Sequence, residues 1–251
     1  EGTITTSTLV FNAASWNLPR TVTVTGVDDS IDDGDIAYSI ILDTATSSDP
    51  NYDGVNPSNV SVTNTDNDTA GVTVTESAGT TNITEGGATD SYTIVLNSQP
   101  TENVFLALSP DAQSTLSTSS IVFTTANWDT AQTITVTAVN DSVVEGAHTS
   151  TITQSATSTD GTYNAIPISS VVASITDNDT AGFTLSAISG NTSEAGGTAT
   201  FTVVLDSPPS GRVTTTLHSS DTTEGTINTS TLVFNAASWN LPRTVTVTGV
   251  D

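Results

Sequence analysis

Apolar and polar residues alternate along most of this chain. Gly71–Glu76 reads GVTVTE, and Ser91–Leu96 reads SYTIVL, with Tyr92, Ile94 and Leu96 on one face. Similar runs follow at Asn103–Leu108, Ser120–Phe123, Thr133–Val139, Thr149–Gln154 and Ser169–Thr176. A period of two sends successive side chains to opposite faces, which is the mark of a half-buried antiparallel strand. No segment keeps a helical period over three turns. Seven short strands with turns between them predict an all-β fold, a two-sheet Greek-key β-sandwich.

The pattern repeats. Residues 1–28 return at 224–251 with one change, Thr5 to Asn228. Phe11 and Trp16 are echoed by Phe123 and Trp128, then by Phe234 and Trp239, which sets a unit of about 111–112 residues. The string TDNDTAG at 65–71 and again at 176–182 marks the joints, since Asn, Asp and Gly suit turns. These markers predict tandem modules: the C-terminal part of one at 1–68, a complete one at 69–179, and the N-terminal part of the next at 180–251. Both ends then fall inside a module, as in a window on a longer array. The complementary end pieces also suggest subunits that complete one another head to tail in a filament. The doubled 28 residues weigh against that, because both copies cannot fill one place. A Trp recurring in every module reads as a core plug at a strand connection rather than a sugar platform.

Composition narrows the function. The chain has 27 acidic residues against 3 arginines and no lysine, for a formal charge of −24. Such a surface repels nucleic acid and anionic membrane, and no apolar run approaches transmembrane length. There is no cysteine, hence no disulfide framework and no thiol nucleophile. His148 and His218 stand at non-equivalent places beside no repeated Ser or Asp constellation, so an enzyme is not expected. The threonine-rich strands TVTVT and TITVT do not imply ice binding, because outward strand positions favour Thr and a twisted sheet offers no long flat ladder.

The acids are clustered. Asp28, Asp29, Asp32, Asp33 and Asp35 follow one strand, and Asp141 and Glu145 occupy the same stretch a module later. Asp66 and Asp68 lie in the first joint, Asp177 and Asp179 in the second, and Glu85 and Glu194 precede glycine pairs. Two carboxylates about 5 Å apart repel by roughly 3 kcal/mol at an effective dielectric of 20. Either they splay into water as a solvated acidic face, or they share a hard cation such as Ca²⁺, which takes oxygen ligands in adaptable geometry. A second acidic loop, Asp49–Gly54, matches residues 160–164 and is explained by turn chemistry.

The ordered phrases SSDTTEGT (219–226), FNAASWN (11–17), TVTVTGVDD (21–29), SSDPNYDG (47–54) and VSVTNTDND (60–68) resemble the Calx-β domain. The variant is similar to the repeats of very large bacterial surface and secreted proteins. The resemblance implies seven-stranded, Ig-like calcium-binding sandwiches with ions at one end, near the joint. By position, the ligands of the complete module would be Glu85, Asp141, Glu145, Asp177 and Asp179. Those of the leading piece would be Asp28, Asp29, Asp32, Asp33, Asp66 and Asp68; the trailing piece keeps Glu194 and Asp251. Asn140 and Val144 depart from the pattern, at the positions of Asp28 and Asp32, so the complete module is expected to hold fewer or weaker ions.

Two functions follow. One is a structural extender of a bacterial surface adhesin or extracellular fibre, its neighbouring repeats stiffened by Ca²⁺. The other is a calcium-dependent binding module for a glycan or protein partner, which a repeated exposed aromatic would favour.

Overall fold

The computed structural model describes residues 1–251. Its first 68 residues form β1 (Gly2–Ile4), β2 (Val24–Gly26), β3 (Ile36–Ile40) and β4 (Val60–Asn64). They pair as two separate antiparallel ribbons, β1 with β2 and β3 with β4, and none of these 68 residues is buried.

The middle of the chain holds β5 (Val72–Glu76), β6 (Thr81–Thr84), β7 (Asp90–Leu96), β8 (Val104–Pro110), β9 (Ser114–Leu116), β10 (Ser120–Phe123), β11 (Gln132–Ala138), β12 (His148–Thr157) and β13 (Val171–Thr176). One sheet runs β5-β7-β11-β9 and the other β10-β8-β12-β13-β6. Their inner faces share 18 buried apolar residues, including Tyr92, Ile94, Leu106, Phe123, Ile134 and Ile152. The strict alternation of buried and open positions in β8, β10 and β13 is the sequence pattern made physical. Trp128 is half-buried and packs against this core, as expected of a plug at a strand connection.

All seven expected strands form, with limits displaced by at most three residues. Two more were not anticipated. β9 is three residues long, and β6 (Thr-Asn-Ile-Thr) carries only one apolar side chain, too little to show a period. Between β5 and β6 the chain changes sheets through a single 3₁₀ turn, where Ala78 and Gly79 take φ of 50° and 82°. β6 then joins β13 in parallel, Thr84 opposite Thr176; every other pairing in the chain is antiparallel.

The loop at 160–164 is a turn, as its residues suggested. The Asp160 carboxylate accepts from the Thr101 amide at 2.7 Å and the Thr162 amide at 2.9 Å. Its neighbour Tyr163 is fully buried and donates its hydroxyl to the Ser98 carbonyl at 2.7 Å while accepting from the Ser98 amide at 3.0 Å. This tyrosine lock across the sandwich went unread in the sequence.

The remaining residues form β14 (Phe183–Leu185), β15 (Thr198–Leu205), β16 (Val213–Thr216), β17 (Gly225–Ile227), β18 (Thr231–Phe234) and β19 (Arg243–Gly249). β14-β15-β19-β17 make one sheet and β16-β18 another, around Val203, Leu205, Leu232, Phe234 and Val245. The architecture is all-β, a tandem of Ig-like Greek-key sandwiches.

Candidate metal centre

Three segments meet at one end of the middle sandwich. The parallel register of β6 and β13 brings Glu85, just past Thr84, beside Asp177, just past Thr176, and the Glu85 amide donates to the Thr176 carbonyl at 3.1 Å. The loop from β11 to β12 closes over them. Gly86 is required here: its φ is +60°, and a Cβ would lie 2.7 Å from Asn140 Oδ1 and 2.9 Å from Asn178 Nδ2, two groups hydrogen-bonded to each other at 2.9 Å.

Asp177 is the anchor. Its Oδ2 accepts from the amides of Glu145 (2.8 Å) and Gly146 (2.7 Å), and its Oδ1 from the amide of Asp179 (2.7 Å). These amides hold its carboxyl below the ordinary range, Asp179 and Gly146 foremost. Glu85 is the opposite case. It is 2% exposed, and neither carboxylate oxygen makes a hydrogen bond. Burial pushes its pKa up, and the charges of Asp177 and Asp141 push the same way, while the Asp141 amide and His148 lean against them. Oδ2 of Asp179 is likewise buried and unpartnered.

Oxygens of Glu85, Asp141 and Asp179 lie within 4.8 Å of one another. A buried carboxylate without a partner is costly, and sharing a cation removes the cost. Hard oxygens alone, one of them dry, suit Ca²⁺. Of the five residues expected at this end, Glu85, Asp141 and Asp179 converge directly. Asp177 scaffolds the loop, and Glu145 turns toward His148, whose imidazole Nε2 stands 3.5 Å from Glu145 Oε2 and 3.9 Å from Glu85 Oε1. The sequence offered His148 no role, because it is not repeated.

The corresponding end of residues 1–68 is more open. Asp28, Asp29, Asp33, Asp66 and Asp68 line a cavity of about 190 Å³ together with Glu1 and Asn64. Asp66 repeats the part of Asp177, accepting from Gly34 at 2.7 Å and Asp68 at 2.8 Å, and amides lower its pKa. Desolvation and neighbouring carboxylates raise those of Asp33 and Asp68. Asp32 turns away from that cavity, and its Oδ2 accepts from the Ala70 amide across the joint at 2.7 Å. In the trailing part, Glu194 and Asp251 are exposed and join no cluster of three.

Strand ends that gather unpartnered carboxylates give this sandwich the donor groups to hold a cation. The Calx-beta domain matches residues 4–69, 116–180 and 175–229, and the chain belongs to that family. It is a family of calcium-binding regulatory and structural domains rather than of enzymes. Among solved structures, the chain is similar to the apo-form Calx CBD1 domain (13% identity, TM-score 0.31, covering 43% of this chain and 98% of that one). It is also similar to CBD12 from CALX1.2 (16% identity, TM-score 0.32, covering 71% and 75%). A third likeness is to domains 4–9 of the surface layer protein SbsC (14% identity, TM-score 0.29, covering 93% and 38%). No curated protein matches the chain. No helix is long and apolar enough to cross a membrane.

Proposed function

We propose that these modules are calcium-stiffened extenders of a bacterial cell-surface adhesin or extracellular fibre. One observation carries the reading: the dry, unpartnered Glu85 carboxylate faces Asp141 and Asp179 in the segment where β13 leaves for the next sheet set. Ca²⁺ there ties the EGG turn, the β11–β12 loop and the chain's exit together. In the leading piece the ligands are Asp28, Asp29, Asp33, Asp66 and Asp68, with Asp32 fastening the joint. A second bond across that joint, from the Gln99 amide to the Ser30 carbonyl at 2.6 Å, adds to the coupling of neighbouring repeats.

Small-angle scattering of the chain with millimolar Ca²⁺ and then with chelator tests this. An extended profile that shortens on chelation, with faster proteolysis at 66–71 and 177–182, is expected; a profile and cleavage rate blind to Ca²⁺ would sink it.

The binding-module reading draws on Trp16 and Tyr52, which are 70% and 63% exposed. It is weaker, because Trp128 and Trp239 pack against cores. Quenching of tryptophan fluorescence by a glycan panel in Trp16-only variants would revive it. Head-to-tail assembly is motivated by the β3–β4 ribbon, the counterpart of β12–β13, and by the open edge of β16. A chain that stays monomeric in Ca²⁺ at high concentration excludes it.

A further inference from the structure

His148 brings a nitrogen to an otherwise all-oxygen cluster, and its ring is already oriented. Nδ1 lies 2.9 Å from the Gly146 carbonyl oxygen. A carbonyl only accepts, so Nδ1 carries a proton and Nε2 is the end of the ring left to meet the two carboxylates. That end faces Glu145 Oε2 at 3.5 Å and Glu85 Oε1 at 3.9 Å, both too long for good hydrogen bonds. Glu145 is itself held, its Oε1 accepting from Gln113 Nε2 at 3.0 Å. Nε2 aimed between two carboxylates calls for something positive there, either its own proton or a metal ion that takes its lone pair.

We propose that His148, Glu145 and Glu85 form a second cation site, one that takes a borderline transition-metal ion of the Zn²⁺ class. One nitrogen and two carboxylates is a zinc-type donor set, whereas Ca²⁺ takes oxygen alone. Metal–ligand bonds of about 2.0–2.2 Å in tetrahedral array hold ligand atoms roughly 3.4 Å apart, close to the spacings found. The carbonyl behind Nδ1 is the outer partner that metal-bound histidines use to fix tautomer and ring angle. The second observation is the buried Glu85 carboxylate, unpartnered on both oxygens. The site is confined to one module: Ile36 stands at the place of His148 in the preceding repeat. Sharing Glu85 with the oxygen-only cluster makes the two cations compete, but the site does not need Ca²⁺ to form.

The test uses the whole chain in calcium-free buffer, titrated with Zn²⁺ by calorimetry and with Co²⁺ by visible absorption. One Zn²⁺ is expected to bind with His148→Ile and Glu145→Gln each weakening it at least about tenfold. His148→Ile copies the neighbouring module and leaves Ca²⁺ affinity within about twofold, so a misfolded variant reveals itself by losing both ions. His218→Ala changes neither. On the unmodified protein, Zn²⁺ shifts the His148 ring resonances and leaves those of His218 in place. Zn²⁺ affinity equal in wild type and His148→Ile, or ring resonances of His148 that do not respond, overturns the proposal, and the calcium titration is judged separately.

Discussion

The phrase FNAASWN occurs at 11–17 and at 234–240, inside two stretches that differ at one position in 28. Its local chemistry is the same in both. Asn12 Oδ1 accepts from the Ala14 amide at 2.9 Å and Asn235 Oδ1 from Ala237 at 3.0 Å; Arg20 lies over Phe11 at 5.9 Å and Arg243 over Phe234 at 5.6 Å. The Gly2–Gly26 pairing of β1 with β2 is also the Gly225–Gly249 pairing of β17 with β19. Beyond that ribbon the surroundings differ. Phe11 is 51% exposed and Phe234 is sealed, meeting Phe183 edge to face with centroids 6.2 Å apart. β18 and a seven-residue β19 form where β16 and β15 are there to pair with them; their twins at 8–11 and 20–26 give only the three-residue β2. Turns belong to the sequence that makes them, and strands belong to their neighbours.

Truncating the two phenylalanines should separate the two copies most. Phe234→Ala is expected to cost about 3–5 kcal/mol in the stability of residues 180–251, and Phe11→Ala less than about 0.5, read by hydrogen exchange. Glu85→Gln comes next. Calcium at about a hundred times its Kd stabilises by about 2.7 kcal/mol, and the variant should lose most of that in calorimetric melting. Without calcium the sign reverses. Burial raises the Glu85 pKa above its ordinary 4.5, so its contribution to stability is full below that value and is lost as pH rises through the folded one. At neutral pH the calcium-free variant should therefore melt higher than wild type. Tyr163→Phe should cost about 1–3 kcal/mol by stranding the Ser98 groups, while Tyr52→Phe, at an exposed twin position, should cost nothing measurable. The smallest change is expected at the shared turn: Asn12→Ala and Asn235→Ala should each lose about 0.5–1.5 kcal/mol of local turn stability. Unequal losses would mean that even the turns depend on distant packing.

The same division explains what was legible. Strand positions and the all-β sandwich could be read because alternation and repetition are written in consecutive residues. β6 escaped with one apolar side chain, Ile83, because its partner β13 lies about ninety residues away. The tyrosine lock was missed although Tyr52 and Tyr163 recur at one module's spacing; that recurrence was the available signal, and only Ser98 reveals its meaning. Asp32 read as one more acid in a run, and its bond to Ala70 depends on how the joint folds back. Nothing in the sequence marks His148, because it does not repeat, whereas a singular residue within a repeated end is where one module can differ from its neighbours.

The parallel pairing of β6 with β13 has a mechanical consequence. Tension on the middle module enters through Gly71, ahead of β5, and leaves through Asp177, after β13. Once the five β5–β7 pairs give way, it draws β6 backward and β13 forward along a common direction, so the four registered pairs from Ala173–Thr81 to Thr176–Thr84 are loaded in shear. Shear strains them together, whereas peeling would open them singly. Endurance under load is then governed by how fast that clamp slips, a rate rather than an equilibrium.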